Sequence, residues 1–355
     1  MDTLEVLFLE QGASSPAAVA RWIAEAVAPA RRSIDLAIYD CHLTGEAATI
    51  FTGALHEAEH RGVKVRIAYN GLPHTGDRLA IDPGHVDDTA AFFAAAALPA
   101  RAIVDVHGHA SLMHQKYLVV DAGTDEARVV TGSANFTDSA FHLQENNLLR
   151  MLSREIADRY TANFEELWTI GEIRGVPGHE HADAIVRYAG KPASVSVLFA
   201  PGDGKEIDAA IAERVRGAKR ELTIASVIVT SGRILGALAE VADRGIPLSG
   251  IVDGTSMHRM KAQWALTPGS VWKADAFESL VRHGSLRGKR SAANGIHDYM
   301  HNKVLVIDDT VITGSYNLSH NAQTNAENVL FIESPALAQA YRDYIARLVQ
   351  RYPHL

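Results

Sequence analysis

Met300-His301-Asn302-Lys303-Val304-Leu305-Val306-Ile307-Asp308, followed by Gly314-Ser315-Tyr316-Asn317, is the stretch on which the reading of this chain turns. The apolar run from Val304 to Ile307 reads as a buried strand. Burying a histidine and a lysine without partners is costly, so packing alone does not explain a His-x-Lys opening to such a strand. The arrangement occurs a second time. Met113-His114-Gln115-Lys116 leads through an apolar run to Asp121, with Gly132-Ser133-Ala134-Asn135 behind it.

The surroundings repeat as well. Leu4–Leu9 reads as a strand, and Ser15-Pro16 places a cap and an N1 proline before a helical pattern over 17–28. Strands are expected at 34–39 and 63–69, with a helix over 46–61 that Gly62 ends. From residue 194 the order returns: strands at 195–199, 222–227 and 247–252, with helical patterns around 207–215 and 234–244. The offset is 191 between Val6-Leu7-Phe8 and Val197-Leu198-Phe199, and 187 between the two histidines. Matching signals at a near-constant offset mark an internal duplication. Each half closes on a helical pattern, over 153–168 and 335–349. The expected organisation is a first half over 1–172, a Gly- and Pro-containing linker over 173–193, and a second half over 194–355. The β-α-β-α-β alternation predicts an α/β protein with mixed, mostly parallel sheets flanked by helices.

Composition narrows the class. At 355 residues, 47% hydrophobic and 21% charged, the chain suits a globular protein with a large core. Its net charge of −8 argues against coating nucleic acid through the whole surface. The single cysteine, Cys41, excludes an intrachain disulfide. With no basic leader at the N-terminus and no apolar run of membrane-spanning length, a cytoplasmic location is expected. A mature secreted form is the alternative.

Spacing sharpens the candidate site. Gly132 leads Asn135 by three and Glu145 by thirteen, and Gly314 leads Asn317 and Glu327 by the same intervals, with Asn146 and Asn328 next. On these residues the chain resembles the phospholipase D superfamily, with both of its HKD motifs in one polypeptide. The resemblance covers nearly the whole length. One departure is the longer 122–126 turn in the first half, which should leave the site unaltered. The resemblance implies a duplicated, pseudo-two-fold fold with one active site between the halves. It also implies a phosphodiesterase of phospholipase D type, hydrolysing or transferring a phosphodiester such as a phospholipid headgroup bond.

The residue types suit that chemistry. A phosphodiester is an anion, so attack on phosphorus requires charge neutralisation and a nucleophile held in line. Lys116 and Lys303 supply positive charge, and Asn135 and Asn317 supply amide donors. One histidine attacks while the other protonates the leaving oxygen and later deprotonates water. By resemblance to two-motif members, His114 is the nucleophile and His301 the general acid/base. Glu145 and Glu327 are each expected to hold one imidazole by its second nitrogen. Asp121 and Asp308 are expected to stabilise the motif, and Ser133, Ser315, His107, His109 and Tyr299 are possible substrate contacts. His107-Gly108-His109 resembles metal-ligand spacing, but no carboxylate or cysteine set completes a site. No metal or cofactor is expected.

Substrate choice should lie in the two segments that differ between halves. Residues 70–113 carry five acidic against two basic side chains, and 253–300 carry seven basic against four acidic, with Trp264, Trp272, Phe277 and Tyr299 among them. Such a segment suits an anionic lipid surface, and equally a single-stranded nucleic acid. The partner is therefore a phosphodiester substrate, with peripheral membrane contact, and no obligate protein partner is expected. A nuclease acting on single-stranded DNA or RNA is the alternative, and a non-catalytic phosphate-binding scaffold the third reading.

Overall fold

The computed structural model, described for residues 3–71, 83–106, 111–175, 183–292 and 296–355, turns the duplication into two sheets. The first half runs β1 (Leu4–Leu9), α1 (Pro16–Val27), β2 (Ser33–Ile38), β3 (Cys41–His42), α2 (Gly45–His60) and β4 (Lys64–Asn70). It continues through α3 (Pro83–Ala95), β5 (Ala100–Ile103), β6 (Lys116–Val120), β7 (Arg128–Gly132), β8 (Phe136–Thr137), α4 (Asp138–His142), β9 (Asn146–Leu152) and α5 (Arg154–Ile170). The second runs β10 (Ala184–Tyr188), β11 (Lys191–Ala200), α6 (Gly204–Arg216), β12 (Leu222–Ser226), α7 (Gly232–Asp243) and β13 (Leu248–Asp253). Then come α8 (Gly254–Leu266), α9 (Val271–His283), β14 (Ser285–Lys289), β15 (Lys303–Ile307), β16 (Thr310–Gly314), β17 (Glu327–Glu333) and α10 (Pro335–Arg351).

The strand orders are β1-β9-β7-β6-β2-β4-β5 and β10-β11-β17-β16-β15-β12-β13-β14, so the second sheet repeats the first with β10 added at its edge. The sheets are mixed, but the expectation that they are mostly parallel is corrected. Only β2–β4–β5 and β12–β13–β14 run parallel, and every other pairing within these two sheets is antiparallel. The cause is local: Asp308 and Asp309 alone join β15 to β16, and a loop that short reverses the chain into a hairpin. The longer turn before β7 has the same effect. A second correction concerns the linker, since residues 184–188 form β10, paired with β11.

β6 and β15 sit centrally, and every residue in them is buried. That is why they read as unbroken apolar runs rather than alternating ones. α1 starts as expected on the Ser15 cap, with Pro16 in its first turn. Under α1 and α2 lies one core, and under α6 and α7 a second. A third core joins the halves: Tyr117 and Val119 of β6, Val304 and Val306 of β15, Tyr160 of α5 and Tyr341 of α10 all belong to it. The halves therefore share an interior. Among the described residues, no helix is long and apolar enough to cross a membrane.

Candidate active site

The two histidines reach one site because each motif strand begins at the seam between the halves. Just before β6, the His114 N–H donates to Ala326 O (2.9 Å). Just before β15, the His301 N–H donates to Glu145 O (3.0 Å). Behind them the seam is fixed by a duplicated buried amide network. Asn328 Nδ2 donates to Gln115 Oε1 (2.7 Å), and Asn147 Nδ2 to Asn302 Oδ1 (2.8 Å). Tyr160 and Thr131 donate to Asn328 Oδ1, as Tyr341 and Thr313 do to Asn147 Oδ1. Fully satisfied networks of this kind specify one arrangement of the surfaces they join.

Lys116 and Lys303 open their strands and curl back, each Nζ donating to the carbonyl of its own motif histidine at 2.9 and 2.7 Å. Both are buried, and Lys116 also lies over the Tyr39 ring at 5.0 Å. Burial lowers Lys116 to about 7, against the pull of Glu327 and Asp40. Lys303 falls too, from burial and the charge of Lys116. The histidines are both depressed by burial and by the two lysines, His301 also by His114. Without an anion, the site thus crowds four groups that resist carrying charge together.

Asn135 and Asn317 follow sharp turns at Gly132 and Gly314, whose φ angles are +156° and +137°. A Cβ at either glycine would stand 2.2 Å from Asn147 O or 2.5 Å from Asn328 O. Both asparagines leave the side-chain oxygen buried without a hydrogen-bond partner. An unsatisfied buried amide oxygen costs about 1–3 kcal/mol, and turning either amide over exchanges that acceptor for an N–H₂ donor.

The carboxylates correct the expected symmetry. Glu327 Oε2 meets His114 Nδ1 at 2.8 Å, but Glu145 does not hold His301. The His301 Nδ1 instead meets Asn146 Oδ1 at 3.1 Å. Strand register explains this. Asn146 pairs with Leu9 and Glu327 with Ala200, and Leu9 and Ala200 are equivalent at the 191-residue offset. The parallel bridges Met113–Ala326 and Glu145–Met300 likewise match Glu145 to Ala326. The shared interval of thirteen from each glycine hid one extra residue before β9, so the counterpart of Glu327 is an amide. Glu145 is fully buried elsewhere, beside Lys289 Nζ (3.4 Å) and the Tyr352 hydroxyl.

The serines are also corrected. Both are fully buried. Ser133 Oγ donates to Asn146 Oδ1 (2.8 Å) and accepts from the Asn147 N–H (3.0 Å), while Ser315 Oγ accepts from the Asn328 N–H (2.9 Å). Ser133 thus bonds Asn146, the partner of His301, and Ser315 also bonds Glu327, the partner of His114. Asp121 and Asp308, both at positive φ, accept backbone N–H groups from residues 31–33 and 219–221. They close the turns before β2 and β12. Tyr299 is half-buried, its ring near His297 (5.7 Å) and its carbonyl taking the Glu145 N–H. His107 and His109 lie outside the described residues. Tyr39, whose ring meets both His114 and Lys116, carries no motif signal in the sequence, and Asn146 carries only its adjacency to Glu145.

The chain is similar to known proteins in sequence and in fold. The model of the family described as "Cardiolipin synthase, PLD-like domain" matches residues 23–168 and 211–349. The chain is similar to a phospholipase D of Rickettsia conorii, 28% identical over 152 residues that cover 42% of this chain and 64% of that one. It is 45% identical to the mitochondrial cardiolipin hydrolase of Xenopus tropicalis over 56 residues, 15% of this chain and 27% of that one. The matches thus span less than two thirds of these relatives' length. Among solved structures, the phosphatidylserine synthase of Haemophilus influenzae Rd KW20 superimposes with a TM-score of 0.67 at 14% identity, covering 99% of this chain and 86% of that one. At that identity the likeness concerns the fold.

Proposed function

The chain belongs to the PLD-like family whose model it matches in both halves, and from that premise we propose that it is a phosphodiesterase acting on a phospholipid headgroup bond through a phosphohistidine. The observation that carries this reading is the convergence of His114 and His301 between Lys116 and Lys303, with unlike groups on their Nδ1 atoms. A carboxylate on Nδ1 fixes the tautomer and raises the basicity of Nε2, whereas an amide oxygen fixes the tautomer alone. His114, on Glu327, is therefore the better nucleophile, and His301, on Asn146, the better acid.

In the first step His114 Nε2 forms a bond to phosphorus, the P–O bond to the leaving alcohol breaks, and His301 Nε2 gives that oxygen its proton. In the second, His301 takes a proton from water, or from an acceptor alcohol in transfer. The oxygen attacks phosphorus and the P–N bond breaks, restoring His114. Lys116 and Lys303 neutralise the phosphoryl oxygens, with Asn135 and Asn317 turning their amide N–H groups towards them. The depressed His114 supplies an unprotonated nucleophile at neutral pH. The depressed His301 gains its proton once the substrate's negative charge offsets the lysines. No step requires a metal ion.

A lipid substrate is favoured by the α8–α9 hairpin. Its tip exposes Leu266 (86%), Val271 (48%) and Trp272 (46%). Lys273 Nζ donates to Thr230 O, and the Thr230 N–H to Leu318 O, next to Asn317. This apolar tip is thus tied to the catalytic loop, and residues 254–290 carry seven basic side chains against two acidic ones. Aliphatic tips beside cations suit the interface of an anionic bilayer. Between α8, α9 and β14 lies a cavity of about 570 Å³ with Met257 and Phe277 in its wall and Arg259 and Arg290 among its lining residues.

The experiment is to incubate the chain with anionic phospholipid vesicles, single-stranded DNA and single-stranded RNA in parallel, with and without chelator. Headgroup release that survives chelator and is lost in His114→Ala is expected. The paired variant Leu266→Glu/Val271→Glu should lose vesicle binding and keep turnover of a soluble aryl phosphodiester. Cleavage of nucleic acid alone would replace the lipid reading with the nuclease one, and inhibition by chelator would sink the metal-free mechanism.

A further inference from the structure

The pseudo-symmetry leaves one buried pair unexplained. Lys289, the last residue of β14, and Glu145 are 1% and 0% exposed. Lys289 Nζ donates to Leu143 O (2.9 Å) and approaches Glu145 Oε1 (3.4 Å), while the Tyr352 hydroxyl donates to the same oxygen. The Gln11 N–H donates to Oε2 at 3.3 Å. Asp298 and Arg351 act on Lys289 with opposite charges. The register identifies the counterparts in the other half. Lys289 pairs with Asp253, and Ile103 with Asn70, and each of these partners accepts the N–H of Met300 or Met113. Lys289 thus corresponds to Ile103, and Glu145 to Ala326.

The same fold therefore solves this position twice, once with a buried ion pair and once with apolar residues. Replacing buried ion pairs by apolar residues is commonly neutral or stabilising, so stability does not account for the charged version. Its position does. Glu145 lies between Leu143, whose carbonyl Lys289 holds, and Asn146, which holds the His301 ring. The Glu145 carbonyl also receives the His301 N–H. In the first half no such clamp is needed, because Glu327 grips His114 through a carboxylate. We propose that Lys289 and Tyr352 are positioning residues that lock the 143–146 segment through Glu145 and thereby orient the His301 imidazole.

This inference rests on the phosphodiesterase reading for its kinetic consequence, though not for its structural one. The test is the double variant Lys289→Ile/Glu145→Ala, which installs the chain's own Ile103/Ala326 solution, with Tyr352→Phe as a milder change. Ring proton signals of His301, assigned with His301→Ala, are followed by NMR against pH without substrate. The expected result is a His301 titration moved towards that of an ordinary histidine, with His114 unchanged. In single-turnover release of the alcohol, which reads the first step alone, an alkyl phosphodiester should slow at least tenfold and an aryl diester less than threefold, since in that step only the poor leaving group needs the His301 proton. Tyr352→Phe should move both readings in the same direction by a smaller factor. An unchanged His301 titration in both variants, or equal losses on the two esters, would overturn the proposal. Absent turnover in the wild type would count against the phosphodiesterase and leave the titration to decide.

Discussion

Glu327→Gln would make the first half resemble the second, because the new side chain could offer His114 Nδ1 only an amide oxygen of the kind that Asn146 offers His301. The native carboxylate is fully buried and 2.8 Å from the ring. A hydrogen bond to a charged group is worth about 1.5–3 kcal/mol, against about 0.5–1.5 kcal/mol for a neutral one. The difference, about 1–2 kcal/mol, falls on the step in which His114 becomes positively charged. It corresponds to about a 5- to 30-fold fall in the rate of phosphoryl-enzyme formation. If the amide turned its N–H₂ to the ring instead, the tautomer would be wrong and the loss could approach the roughly 10⁴-fold seen for the analogous change in a serine-protease triad. Pre-steady-state hydrolysis of an aryl phosphodiester above about pH 8, where Glu327 is ionised, measures the step directly as the burst. Stability gives an independent reading. Burial raises Glu327 to about 8, so the folded chain holds this proton more tightly than the unfolded chain does. That contribution is full below the unfolded value near 4.5 and is lost as pH rises towards 8. The melting temperature of the Glu327→Gln variant should therefore gain on the wild type across that window. A burst rate within twofold of wild type, together with a pH-independent difference in melting temperature, would refute the assigned role of Glu327.

Three further outcomes follow from the same geometry. Binding a phosphodiester should draw protons into the site, because Lys116 is near 7 when free and an anion raises it. Affinity should thus fall as pH rises, with Lys116 alone contributing up to about tenfold per pH unit above about pH 7, and calorimetry at about pH 8 in buffers of different ionisation enthalpy would show proton uptake. Gly314→Ala puts a methyl 2.5 Å from Asn328 O at a φ of +137°, and should lower stability by more than about 2 kcal/mol in urea titrations. Asp308→Ala strips the acceptor from three backbone N–H groups and should cost about 1–3 kcal/mol, read in the same titrations. Burial works against the Asp308 carboxylate, but those N–H groups outweigh it and hold it below the usual range, so the cost should shrink as pH falls below about 4.

Much of this was legible because burial leaves a mark on sequence. β6 and β15 are covered on both faces, so their unbroken apolar runs were visible, and the polar residues that open them stood out. Ser15 and Gly62 announced helix ends through backbone chemistry that only a few residues can supply. Strand direction was less visible, since the antiparallel majority depends on how short the β15–β16 turn is rather than on any apolar period. For a related reason, Glu145 was expected in the place that Asn146 takes. Equal spacing from a glycine says nothing about which residue pairs across a sheet, and one inserted residue before β9 moved the amide into the carboxylate's place. Lys289 is one of seven basic residues in the 253–300 segment and meets Glu145 only through a long-range contact, so no local pattern announced it. The α8–α9 hairpin was visible as a basic, aromatic segment, whereas the exposed tip depends on how the two helices pack.

The central claim is that two unlike histidines share one site, with His114 taking the phosphoryl group. Rapid alkaline quench during turnover of a soluble aryl phosphodiester, followed by peptide mass spectrometry, tests it most directly. The mass of the retained phosphoryl moiety is expected on His114, accumulating when the second step is slowed in His301→Ala with an activated leaving group. The adduct on His301, or turnover with no adduct on either histidine, would contradict it.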